Sequence, residues 1–101
     1  MKNEKDNGFH SVSHLANQIN ITAEELNDIF VHIDFVRREK EWGTTHYILK
    51  TKGKQYGNQI EPDEEEGRNY YYVYYKNSIL KDHQVLEILI NYNDFLKIKN
   101  Y

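Results

Sequence analysis

The string Leu15-Ala-Asn-Gln-Ile-Asn-Ile-Thr-Ala-Glu-Glu-Leu26 constrains this chain more than any other part of it. Thr22 and Glu25 make a capping box: the Thr22 hydroxyl accepts from the backbone N–H three residues on, and Glu25 reaches back. Asn20-Ile21 breaks whatever helix comes before. Two helices therefore meet across a turn too short to let them run apart. Ser11 caps the first, with Val12, Leu15, Ala16 and Ile19 on one face. The second is expected over about residues 22–33, with Leu26, Ile29, Phe30 and Ile33 as its apolar stripe. Ala16 supplies the small side chain where the helices cross, and Asp34 is a tolerable left-handed exit.

Periodicity then changes. Phe35-Val36 starts a strand, the charged residues 39–45 with Gly43 form a hairpin tip, and His46-Tyr47-Ile48-Leu49 returns. Residues 35–38 should pair antiparallel with 47–50. The acidic loop 61–67, Glu-Pro-Asp-Glu-Glu-Glu-Gly, reads as solvated and irregular. Residues 70–75 are aromatic or β-branched throughout, a strand signal. Alternation puts Tyr70, Tyr72 and Tyr74 on one face and Tyr71, Val73 and Tyr75 on the other. Asp82 caps one last helix, striped by Val85, Leu86, Leu89, Tyr92 and Leu96. Ile88, Ile90 and Phe95 widen the stripe, so this helix should be buried on more than one side. Residues 1–8 form a flexible tail, and 9–101 one domain.

A chain of 101 residues has room for one core of ordinary size. Cysteine is absent, which removes disulfides, thiol nucleophiles and thiolate metal sites. No aliphatic run exceeds residues 88–90, against the roughly 20 residues a membrane span needs. The polar residues 1–8 predict no signal peptide, and the expected location is the cytoplasm. His10 and His14 stand at the i, i+4 spacing that holds a metal on a helix, but without the His-Glu-x-x-His pattern. Glu64, Glu65 and Glu66 lack the spaced ligands and central glycine of a calcium loop. No phosphate-binding loop and no nucleophile elbow is present. The reading is of a non-enzyme with no cofactor and no metal.

Helix, tight turn, helix and two-stranded hairpin make the winged helix-turn-helix plan. The segment Tyr47-Ile-Leu-Lys-Thr-Lys-Gly-Lys-Gln-Tyr-Gly57, with Gly53, Lys54, Tyr56 and Gly57 as its turn, resembles the wing and exit of the carboxy-terminal domain of phage antirepressors and related phage regulators. The resemblance covers residues 9–60 well and 70–90 loosely. It departs at Lys50, where the family usually has threonine. It implies an α+β fold: a winged helix-turn-helix with an additional Tyr-rich strand and a C-terminal helix packed on a small antiparallel sheet. It also implies a DNA-binding role in transcriptional control, for a phage or mobile-element protein acting in the host cytoplasm.

Charge points the same way in one segment. Residues 37–54 carry Arg37, Arg38, Lys40, Lys50, Lys52 and Lys54 against Glu39 and Glu41, while the flanking segments are acidic. Such a stripe can meet phosphate even on an acidic protein. The expected duplex-DNA contacts are these six cations, Trp42 as a stacking or wedge residue at the tip, and Asn27 and His32 on the second helix. A single module contacts few bases, so a homodimer on paired half-sites is expected.

An alternative reading comes from another class. The second helix exposes Glu24, Glu25 and Asp28 and carries no lysine or arginine, and carboxylates oppose phosphates. These three, with Tyr70, Tyr72 and Tyr74, suit a protein-binding module on the same scaffold. Examples are a phage inhibitor of a host defence machine or of a nucleic-acid-processing one, of the anti-CRISPR type, meeting a basic host protein. Neither reading involves a membrane.

Overall fold

Both early helices start where their caps stand. In a computed structural model, which describes residues 8–99, Ser11 Oγ accepts from the His14 N–H and opens α1 (Val12–Gln18). Thr22 opens α2 (Ala23–His32) with both bonds of the capping box, 3.0 Å from the Glu25 N–H to Thr22 Oγ1 and 2.8 Å from the Thr22 N–H to Glu25 Oε1. Asn20 turns the chain at φ 61°, and the Ala16 carbonyl accepts from both Ile19 and Ile21. Asp34 leaves α2 at φ 71°. The tail expected over residues 1–8 lies, except for Gly8, outside the described residues.

The strands form two antiparallel sheets. One is the hairpin of β2 (Val36–Glu41) and β3 (Thr44–Leu49), in the expected register: Val36 faces Leu49, Arg37 faces Ile48 and Arg38 faces Tyr47. The other has the order β1, β5, β4, from β1 (Phe9–His10), β4 (Gly57–Ile60) and β5 (Tyr72–Lys76). β1 has no signal in the sequence. Two residues carry no readable period, and it exists only because β5 offers a free edge.

A glutamine side chain hydrogen-bonds one sheet to the other. Gln59 of β4 reaches the open edge of β3, where Oε1 accepts from the Leu49 N–H at 2.6 Å and Nε2 donates to the Tyr47 carbonyl at 3.4 Å. Its primary amide stands in for the peptide group of a missing strand. The core lies beneath, where α1 and α2 cover the base of the hairpin and the inner face of β5. Phe30 is fully buried, its ring 4.7 Å from that of Tyr75 and 6.3 Å from that of Phe35. The domain is α+β.

Two expectations are corrected. The last helix is two helices, α3 (His83–Ile90) and α4 (Tyr92–Lys99). Asn91 leaves helical geometry, its side-chain amide donates to the Glu87 carbonyl, and its own carbonyl accepts from Asp94 and Phe95. The break rotates the stripe, so that Val85 and Phe95 are buried while Leu86 and Ile90 face outward, Ile90 at 79% exposure. The acidic loop is also more ordered than its composition suggests. Asp63 and Arg68 exchange two backbone bonds, Asp63 caps the short turn Glu64–Glu66, and Arg68 Nε donates to the Glu61 carbonyl.

Asp82 caps α3 as expected, accepting from the N–H groups of Gln84 and Val85. Its second oxygen accepts the Tyr56 hydroxyl at 2.7 Å. That bond, followed by burial, raises the Tyr56 pKa above the usual phenol value. Asp82→Ala should therefore cost about 1 kcal/mol as a lost cap. It should also bring Tyr56 back toward ordinary titration. An alkaline ultraviolet titration unchanged from the parent would refute the coupling.

Candidate interaction surface

The hairpin closes with two residues, Trp42 at φ 54° and Gly43 at φ 78°. Positive φ at both central positions is the type I′ geometry that matches strand twist. Asparagine or glycine normally fills the first position. Here it is tryptophan, and the side chain is 94% exposed. It faces outward and does not fold back on the core.

Strand alternation gives the hairpin two faces. Arg37, Glu39 and Glu41 with Thr44, His46 and Ile48 lie on one, and Val36, Arg38 and Lys40 with Thr45, Tyr47 and Leu49 on the other. On the first face, His46 stacks edge-on against Tyr71 at 5.1 Å and sits 3.8 Å from Glu41. This contact draws residues 61–71 to the hairpin. Between them is a concave surface of about 460 Å³ lined by Trp42, His46, Pro62, Tyr70, Tyr71 and Glu41, among others. Tyr70 is 52% exposed. Trp42 and Tyr70 belonged to separate readings of the sequence, and the structure brings them to one depression.

The basic stripe is largely answered within the chain. Arg37 Nε pairs with Glu39 at 2.5 Å, Arg38 with Asp28 at 2.5 Å, and Lys50 with Asp34 at 2.6 Å. Arg38 also donates to the Tyr47 hydroxyl. Lys40, Lys52 and Lys54 make no ion pair among the described residues, though the Lys52 ammonium lies 5.9 Å from the Phe35 ring. The two basic runs do not lie side by side. Lys50 is already at the hairpin base, and Lys52 and Lys54 belong to the turn that follows, which includes the short helix Thr51–Gly53.

The second helix offers little to a groove. Asn27 is 9% exposed and points inward, a correction to its place among the DNA contacts. Glu25 is engaged in the capping box and Asp28 with Arg38, leaving Glu24 exposed at the helix start. His32 is exposed, with its ring edge-on to Phe95 of α4 at 5.3 Å. Tyr72 is half-buried and Tyr74 exposed, their rings 4.9 Å apart on the outer face of β5.

No protein-family model, curated protein or solved structure matches this chain.

The Lys50–Asp34 pair carries a pH dependence. The Lys50 hydrogen bond and charge hold the Asp34 carboxyl below its ordinary pKa. A lowered folded value means stabilisation present above the unfolded aspartate pKa of about 3.9 and lost as pH falls through the folded one. Asp34 is exposed, so salt screens the effect. Asp34→Asn should fall slightly below the parent in urea midpoint at neutral pH and low salt, and match it in acid. A gap that persists in acid would show another cause.

Proposed function

We propose that this domain is a protein-interaction module whose contact surface is the hairpin tip and the adjoining Tyr70–Tyr71 segment. One observation carries the reading: a 94% exposed tryptophan in a backbone conformation that disfavours it. An αL non-glycine residue costs of order 1–3 kcal/mol, and Trp42 recovers little of that by burial in its own fold. Tryptophan and tyrosine on a concave surface are the residues that anchor protein interfaces. Glu41 lines the surface, and Glu61, Glu64, Glu65 and Glu66 are exposed on the loop that contributes Pro62 to it. Those carboxylates repel phosphate and attract lysine and arginine, so the suitable partner presents a basic, partly apolar patch.

A second reading keeps the winged-helix plan and duplex DNA as its ligand, as a homodimer in transcriptional control. Lys40, Lys52 and Lys54 favour it, being the cations of the stripe without an ion pair among the described residues. Fewer free cations mean a shallower salt slope than six would give.

Trp42→Gly separates them. It should leave the fold intact or stabilise it by up to about 1 kcal/mol, because glycine accepts positive φ. On the protein-binding reading it abolishes nuclease-resistant retention of a partner from host lysate. On the DNA reading, Lys40→Ala with Lys52→Ala weakens duplex binding at low salt, and retention disappears on nuclease treatment. Nuclease-resistant retention indifferent to Trp42→Gly would refute the proposed surface.

A further inference from the structure

The depression at the hairpin tip holds a carboxylate without a basic partner, set among aromatic rings. Two glutamates lie on that face of the hairpin, and Arg37 pairs with one of them, Glu39. Glu41 meets no lysine or arginine among the described residues. Its ion-pair neighbour is His46, 3.8 Å away and beyond hydrogen-bond reach. Trp42, Tyr70 and Tyr71 line the same depression, and among the described residues no lysine or arginine does. Arg68 comes one residue before Asn69 of the wall, but its Nε donates to the Glu61 carbonyl. Glu61, Glu64, Glu65 and Glu66, exposed on the loop that supplies Pro62, add to the negative field.

The other face of the hairpin shows what such a set holds when it is complete. There the Arg38 guanidinium lies 5.4 Å from the centre of the Tyr47 ring, donates to the Tyr47 hydroxyl and pairs with the Asp28 carboxylate. At the tip the rings and the carboxylate are present and the guanidinium is not. A guanidinium suits them because it is flat and stacks on tryptophan or tyrosine, and because its N–H groups fork onto a carboxylate. It is also weakly hydrated, so it loses little on entering, whereas the compact ammonium of lysine holds its water strongly. A quaternary ammonium would use the rings but could donate nothing to Glu41. Phosphate would be repelled. The depression, about 460 Å³, is of ligand-pocket size and has room beyond the guanidinium for the segment that carries it.

We propose that the depression takes one arginine side chain of a partner protein, stacked against Trp42 and Tyr70 and donating to Glu41. This rests on the protein-interaction reading and names its anchor. Arginine is among the residues that dominate binding energy when they fill a pocket at an interface.

Trp42 is the single tryptophan of the chain, so indole fluorescence reports on this surface alone. The probe is a capped Gly-Ser-Arg-Ser-Gly peptide, compared with the same peptide carrying lysine, trimethyl-lysine or citrulline in place of arginine. The arginine peptide should change Trp42 emission and shift the Trp42 indole N–H and the Tyr70 and Tyr71 amides, saturating in the millimolar range. Lysine and trimethyl-lysine should bind more weakly. Citrulline keeps the shape without the charge and should bind about tenfold more weakly, the ion pair and the cation–π contact being lost together. Glu41→Gln should weaken the arginine peptide about fivefold, the upper end for a partly exposed ion pair. Glu24→Gln makes the same change of net charge on α2 and should leave affinity unchanged. No shift at tens of millimolar peptide, any of the other three peptides binding as well as arginine, or equal effects of Glu41→Gln and Glu24→Gln would each overturn the proposal. A lysate partner that is lost in Trp42→Gly but retained in full by Glu41→Gln would overturn the arginine anchor and keep the interaction surface, so the two failures are distinguishable.

Discussion

Gln59→Leu is expected to destabilise the domain by about 1–3 kcal/mol, the cost of leaving a half-buried backbone donor without a partner. The donor is the Leu49 N–H, which Gln59 Oε1 accepts at 2.6 Å. Leucine nearly matches glutamine in size, so packing is largely kept and the loss reports the hydrogen bonds. The Leu49 amide should exchange with solvent markedly faster, while exchange in α1 changes only with global stability. Gln59→Glu sharpens the test. A carboxylate still accepts from Leu49, but it faces the carbonyls of Tyr47, Ile60 and Tyr72, to which Nε2 now donates. The charged form is repelled and the protonated form can donate, so the introduced carboxyl has a raised folded pKa. Stability is then near the parent's below the unfolded glutamate value of about 4.3, and falls as pH rises through the folded value. A variant equally stable at pH 4 and pH 8 would show that Gln59 does not bridge the sheets.

That bridge is also where the sequence becomes hard to read. The hairpin is legible because its signals are local: an apolar start at Phe35-Val36, a charged tip with Gly43, and the return at His46-Tyr47-Ile48-Leu49. Helix starts are legible because Ser11, Thr22 and Asp82 act within three residues of themselves. Gln59 gives no such signal, since its partners lie 10 to 13 residues away apart from Ile60. The ion pairs are hidden for the same reason. Arg38 and Asp28 are ten residues apart and Lys50 and Asp34 sixteen, so counting charge by segment mistakes internal pairs for an external field. Asn27 was readable. It sits four residues after Ala23 and three before Phe30, on the flank of the apolar stripe, but its polarity suggested a surface position. Asn91 was readable too, as an asparagine directly after the last apolar residue of a helix. Trp42 could be placed at the tip, but only the backbone angles show that the fold tolerates it rather than needs it.

Gly53→Ala is the other substitution with a large expected cost, and its reason is space rather than conformation. A Cβ built on Gly53 would lie 2.4 Å from the Phe35 carbonyl oxygen and 3.1 Å from Leu49 Cδ1. The leucine methyl can swing away. The carbonyl cannot, because it is backbone and accepts the Lys50 N–H at 2.9 Å, the bond that closes the base of the hairpin. Relief must come from moving the turn. That turn is itself tied down: Gly53 donates to the Lys50 carbonyl, and the Gly53 carbonyl accepts from Tyr56, whose hydroxyl holds Asp82 at the start of α3. Overpacking against fixed atoms costs about 1–3 kcal/mol, and this site belongs at the upper end. Urea midpoints should fall with an unchanged slope, and the Lys50 amide should lose protection. Gly43→Ala is the control. It has open space around its Cβ and positive φ, so it should cost only the left-handed penalty of about 1–2 kcal/mol. If Gly53→Ala proves as mild as Gly43→Ala, the hairpin base does not approach the turn as closely as the 2.4 Å separation requires.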